Sequence, residues 1–156
     1  MLGQASAFNQ EELVALLPQT APFRFVDRII EIDERHVHAT ASFRGDEYFY
    51  AGHFRGDPVT PGVILLEAMA QSGVVLQALY LFSRGPQSKE LSRMRTVLTD
   101  FAGEIYRPVV PPQCVTIRSE LVLWRAHKIR CKVKMFNDEH HLIATAVISG
   151  MGVPIA

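Results

Sequence analysis

The stretch from Val59 to Phe82 constrains this chain more than any other part of it. It is long and mostly apolar, so it must be tested first as a membrane span. It carries Pro61, Glu67, Gln71 and Gln77, and a carboxylate at the middle of a span is expensive. No second span accompanies it and the mean hydropathy of the chain is near zero. The stretch therefore reads as a helix from about Pro61 to Phe82 enclosed by protein, with no membrane insertion. Pro61 suits the first turn, where its missing N–H costs nothing. A helix apolar nearly all round has to be wrapped on most sides.

The rest of the sequence supplies the wrapping. A short helix starts at Asn9, with Glu12 completing a capping box and Leu13, Leu16 and Leu17 forming its apolar stripe. Phe23 to Asp33 and Arg35 to Arg44 read as strands. In the second, Val37, Ala39, Ala41 and Phe43 alternate with His36, His38, Thr40 and Ser42. Residues 45–61 read as a loop and Ser83 to Glu90 as a polar one. Strand-like runs follow at about 93–105, 113–125, 127–136 and 141–151, separated by Pro108 to Pro112, a turn near Ala126, and Asn137 to Glu139. Strands gathered around one buried helix predict an α+β domain, an antiparallel sheet curled round that helix. With 156 residues, the size prior gives a single domain over 1–156.

Lys plus Arg number 16 and Asp plus Glu number 16, which argues against a nucleic-acid-binding surface, since such domains carry a basic excess. Cys114 and Cys131 are too few for a disulfide framework and lack metal-type spacing. With no positively charged, apolar leader in MLGQASAFNQEEL, a cytoplasmic protein is expected. His36-x-His38 lacks a third ligand and reads as a solvated polar face; His140-His141 falls in a hairpin turn. No metal is expected.

Chemistry concentrates in Tyr50 to Gln71, YAGHFRGDPVTPGVILLEAMAQ. His53 stands in a loop between Gly52 and Phe54. Glu67 lies inside the apolar helix, where a carboxyl either finds a partner or is driven toward its neutral, proton-donating form. Histidine is the natural base beside such an acid. Gly62 and Val63 fall in the first helical turn, whose N–H groups have no intrahelical acceptor and favour a developing oxyanion. Base, acid and oxyanion donor in one segment suggest proton abstraction beside a carbonyl, then protonation of a leaving group.

The run Gly52-His53-Phe54-x-Gly56-x-Pro58-Val59-x-Pro61-Gly62-Val63, followed by Glu67-Ala68-Met69-Ala70-Gln71, resembles the 3-hydroxyacyl-[acyl-carrier-protein] dehydratases of the FabZ type. Leu17-Pro18, Pro22-Phe23 and Val26-Asp27-Arg28 resemble that family's N-terminal run, and Arg107-Pro108-Val109-Val110-Pro111 its RPVVP turn. The resemblance implies a hot-dog fold. It implies His53 as the base that takes the α-proton of a 3-hydroxyacyl thioester, and Glu67 as the acid that releases the 3-hydroxyl as water, leaving a trans-2-enoyl thioester. It further implies a Gly62 N–H that polarises the carbonyl, with Val63, Phe54 and Gln71 in the oxyanion and substrate-binding set. The substrate rides on the phosphopantetheine of an acyl carrier protein, and no cofactor is implied. In that family His and Glu come from different subunits, so a homodimer or trimer of dimers is expected and a monomer should be inactive. A hetero-partner subunit is a further option.

The chain departs from the family pattern at three places: Arg55 replaces a proline, Gln19-Thr20 follow Leu-Pro, and Pro112-Gln113 follow RPVVP. None removes a catalytic group, and together they point to a specialised pathway, such as polyketide, polyene or modified fatty-acyl synthesis, more than to the housekeeping enzyme of fatty-acid or related biosynthesis. The basic residues at 84–95 and 125–134, with Arg55, Arg93 and Arg95 foremost, read either as solvated charge or as a docking patch for the acidic carrier. A thioesterase or isomerase of the same fold, or a non-catalytic acyl-binding subunit, are the competing readings. A binding role, however, needs neither His53 nor Glu67.

Overall fold

The computed structural model describes residues 8–86 and 88–155. The first seven residues, on which the expectation of no leader rests, lie outside that range. Helix α1 (Gln10–Ala15) carries the expected capping box at Asn9 and Glu12. Strands β1 (Arg28–Ile32) and β2 (His36–Phe43) follow. Then come the central helices α2 (Gly62–Ala70) and α3 (Leu76–Ser83), joined through a π turn at Gln71–Val75 into one rod. Strands β3 (Met94–Ile105), β4 (Gln113–Arg125), β5 (Lys128–Phe136) and β6 (Leu142–Pro154) complete the chain.

All six strands form one antiparallel sheet in the order β1-β2-β4-β5-β6-β3. Its inner face is the apolar half of each alternation: Val37 and Ala39 on β2, Ile117 on β4, Val133 and Met135 on β5, Ile148 on β6. These side chains pack on Leu65, Ala68, Met69, Leu76 and Leu79 of the rod. Among the described residues the rod is the one helix long and apolar enough to cross a membrane, and most of it is buried inside the sheet.

The structure corrects three boundaries. The strand expected from Phe23 begins only at Arg28, because the Phe25 N–H and the Phe23 carbonyl are taken by the Gln71 side chain instead of a neighbouring strand. Two expected loops contain short 3₁₀ turns, Tyr48–Ala51 and Ser88–Arg93, the second moving Arg93 out of β3. The helix is not α-helical throughout. At the π turn Gly73 comes so close to β4 and β5 that a Cβ there would lie 2.8 Å from Val133 Cγ2 and 3.1 Å from Ser119 Cβ. Ser119 Oγ donates to the Gly73 carbonyl at 2.9 Å.

The two rims of the sheet differ. β1 is short and covered in part by α1. β3 is twelve residues long, pairs on one side only, and has just Met94 buried. Along it Leu98, Phe101 and Ile105 stand opposite Gly150, Ile148 and Ala144, so they share the inner face of the sheet, yet all three are exposed. Long, exposed, apolar edges are templates for another strand.

Candidate active site

The segment 45–61 crosses one end of the rod and is held at several points. Tyr50 is buried with its hydroxyl 2.7 Å from Thr60 Oγ1, and burial holds its phenol above the ordinary tyrosine range. The Thr60 N–H donates to the Val109 carbonyl at 2.8 Å, so the RPVVP turn buttresses the loop as it enters α2. Phe54 and Asp57 exchange two backbone bonds of 2.8 and 2.9 Å. They close a β-turn over Arg55 and Gly56, whose φ of +76° is the left-handed value that glycine supplies.

His53 heads this turn. The peptide bond between His53 and Phe54 is cis, and the two rings stack with centroids 4.0 Å apart. His53 Nδ1 lies 2.8 Å from the Val59 carbonyl oxygen, and the His53 carbonyl in turn accepts from the Val59 N–H at 3.0 Å. A carbonyl oxygen can only accept, so the neutral ring carries its hydrogen on Nδ1 and leaves the Nε2 lone pair free. That is the protonation pattern of a base.

Helix α2 begins immediately after. Ile64 and Leu65 donate to the Pro61 carbonyl at 2.9 and 3.1 Å, while the Gly62 and Val63 N–H groups form no backbone hydrogen bond. Val63 is 74% exposed, which places these donors at an open surface. Beside them an apolar cleft of about 400 Å³ runs between the first turns of α2, the Phe101–Ile105 end of β3, and residues 144–146 of β6. A Cβ at Gly62 would come within 2.9 Å of Ile105 Cδ1, so glycine keeps the cleft open at the helix tip.

One turn further in, Glu67 is half-buried and has found a partner: Oε1 accepts from Gln71 Nε2 at 2.8 Å. Gln71 itself is fully buried. The same Nε2 donates to the Phe23 carbonyl at 2.9 Å, and Gln71 Oε1 accepts from the Phe25 N–H at 2.8 Å. Gln71, expected in the substrate-binding set, therefore has both donors engaged by protein. The structure turns its amide toward Glu67 and the Phe23–Phe25 strap. Sequence reasoning missed that strap; its only signal was the Pro22-Phe23 pair, which reads equally well as strand.

No hydrogen bond or ion pair joins His53 to Glu67, and the cleft beside Gly62 is lined by neither. The basic residues are also dispersed. Arg55 is exposed at the turn beside His53, whereas Arg93 just before β3 and Arg95 at its start lie at the opposite end from Ile105 and Gly62. Among the described residues no group of three or more His, Cys, Asp or Glu side chains is placed to hold a metal. His36 lies 3.3 Å from Asp33. Next to it, burial first and then the Arg118 charge hold His38 below the usual imidazole range.

A single antiparallel sheet curled round one apolar helix defines a hot-dog fold protein, with a histidine in the loop before that helix and a carboxyl within it as the candidate acid–base pair. More narrowly, the chain belongs to the FabA-like domain family, whose model matches residues 17–146. It is 34% identical over 151 residues to the 3-hydroxyacyl-[acyl-carrier-protein] dehydratase FabZ of Lawsonia intracellularis, covering 90% of each chain. It is 37% identical over 118 residues to the FabZ of Thermus thermophilus, covering 73% of this chain and 76% of that one. Among solved structures, the dehydratase heterocomplex ApeI:P from Xenorhabdus doucetiae superposes with a TM-score of 0.76 at 16% identity, over 94% of this chain and 92% of that one. The thioesterase HI1161 from Haemophilus influenzae does so with 0.64, also at 16% identity, over 95% and 92%. At that identity the structural likeness shows the fold alone.

Proposed function

We propose that this chain dehydrates 3-hydroxyacyl groups carried on acyl carrier protein to trans-2-enoyl groups, as a step of fatty-acid biosynthesis. His53 is the base and Glu67 the acid. The observation that carries the assignment is the Nδ1–H bond of His53 to the Val59 carbonyl, which leaves Nε2 as the proton acceptor. Nε2 takes the α-proton, and the electron pair moves to form the C2–C3 double bond. The C3–O bond breaks, and a proton from the Glu67 carboxyl leaves with the hydroxyl as water. Gln71 occupies Oε1 of Glu67, so Oε2 faces the leaving group; Gln71 is a positioning residue. The free N–H groups of Gly62 and Val63 receive the charge that develops on the thioester oxygen, and Phe54 covers the imidazole on one face.

Catalysis needs a second copy of the chain. The unpaired edge of β3, with exposed Leu98, Phe101 and Ile105 on its inner face, supports antiparallel pairing of two β3 strands. Such pairing carries one subunit's His53 loop toward the other's helix. It also brings Arg93 and Arg95 from the far end of the partner's β3 toward the Gly62 end, where cations suit an acidic carrier protein.

The test is mass spectrometry of a carrier-bound 3-hydroxyacyl thioester incubated with the purified protein, run beside the reverse reaction on the enoyl thioester. Loss of one water is expected. His53→Ala and Glu67→Gln should each lower kcat by about 10²–10⁴-fold, the range of a general acid or base. Silence in both directions from a folded dimer overturns the reading.

A further inference from the structure

The structure assigns a positioning role to Arg24, a residue outside the site: it holds the acid in place through the Phe23–Phe25 strap and Gln71. This rests on the dehydration reading above. Arg24 is half-buried, and among the described residues no carboxylate pairs with it. Covering the same surface with an aliphatic side chain would avoid desolvating a guanidinium, so its hydrogen bonds must account for its presence. Both go to main-chain carbonyls: Nε to Gln19 at 2.8 Å and Nη2 to Leu17 at 3.1 Å. Leu17 is a core residue just past the end of α1. The planar fork therefore ties the segment after α1 to the residue between Phe23 and Phe25, meeting two acceptors with two N–H donors held in fixed geometry.

The links continue from there to the acid. The Phe23 N–H donates to the Thr20 carbonyl at 2.8 Å, closing the turn that Arg24 clamps. The Phe23 carbonyl and the Phe25 N–H, one on each side of Arg24, hold the Gln71 amide at 2.9 and 2.8 Å. Gln71 then holds Glu67 Oε1 at 2.8 Å. Because Gln71 has no other partner, the rotamer of the amide, and with it the direction of the Glu67 carboxyl, follows the strap. A carboxyl displaced by an ångström from the leaving hydroxyl loses rate, not substrate affinity.

The test is a double-mutant cycle between Arg24→Met and Gln71→Met, with kcat and KM measured on the carrier-bound substrate. Arg24→Met should lower kcat about tenfold at an unchanged KM. The double variant should be no slower than Gln71→Met alone, since both act through one link. Arg24→Lys, which keeps charge and stem, should fall between wild type and Arg24→Met, and it carries the test if Arg24→Met does not fold. Equal kcat in wild type and both Arg24 variants, or losses that multiply in the cycle, overturn the assignment while leaving the dehydration reading intact. A wild-type protein silent in both directions overturns that reading and this one together.

Discussion

His53 and Cys131 show how much one contact or its absence decides. His53 acquires its basic nitrogen from a single carbonyl, that of Val59, six residues on. Cys131 is buried on β5, and desolvation pushes its thiol up to about 11, so almost no thiolate exists near neutral pH. Cys114 is exposed. A thiol reagent at pH 8 is therefore expected to label the native protein once, at Cys114, and twice after denaturation; fast double labelling of native protein would contradict the burial. The turn at Phe54–Asp57 gives a second prediction. Arg55 holds the position before a left-handed glycine, where proline is favoured, and its N–H forms no backbone bond. Arg55→Pro should raise stability by about 0.4–1 kcal/mol through the unfolded chain, seen as a higher urea midpoint at constant slope. If the Arg55 side chain also meets the carrier, KM for carrier-bound substrate rises while small thioester mimics are unaffected.

At the scale of elements, the π turn at Gln71–Val75 is the feature that periodicity could not give. An apolar run that is hydrophobic on all sides has no phase to read, so an extra residue in one turn leaves no mark in the pattern. What marks it is Gly73, squeezed against Val133 and Ser119. Gly73→Ala gains helix propensity, worth up to about 1 kcal/mol, but forces a methyl against two strands, which costs about 1–3 kcal/mol. Net destabilisation is expected by urea unfolding, and a stabilised variant would show that the rod can shift away from the sheet. The strap at Phe23–Phe25 is equally hidden in the sequence. Its residues have strand-like character, and only the competing acceptor and donor of a glutamine far along the chain divert them from the sheet.

For the whole molecule, the bare edge of β3 leads to the expectation that two copies of the chain pair. Phe101 is 57% exposed on the inner face of that edge. Phe101→Asp places a charge where two copies would meet, and burying it unpaired is prohibitive. Light scattering should find the variant as a folded monomer, and that monomer should be inactive on the enoyl thioester. An active monomer would mean that one chain closes its own site.

The sequence by itself determined the enclosed helix and the antiparallel sheet, and it singled out the residues proposed for the site. Each of these is set by local information: a carboxylate in an apolar run, period-two alternation, and a contiguous motif from Gly52 to Gln71. Five strands, β2 to β6, were legible to within a few residues for the same reason. Only the tertiary structure decided which nitrogen of His53 is free, what partners Glu67, and where β1 begins. The start of β1 depends on a glutamine 46 residues from Phe25; the partners of His53 and Glu67 are only six and four residues away, yet no periodicity or spacing along the chain encodes which carbonyl or amide a side chain will meet.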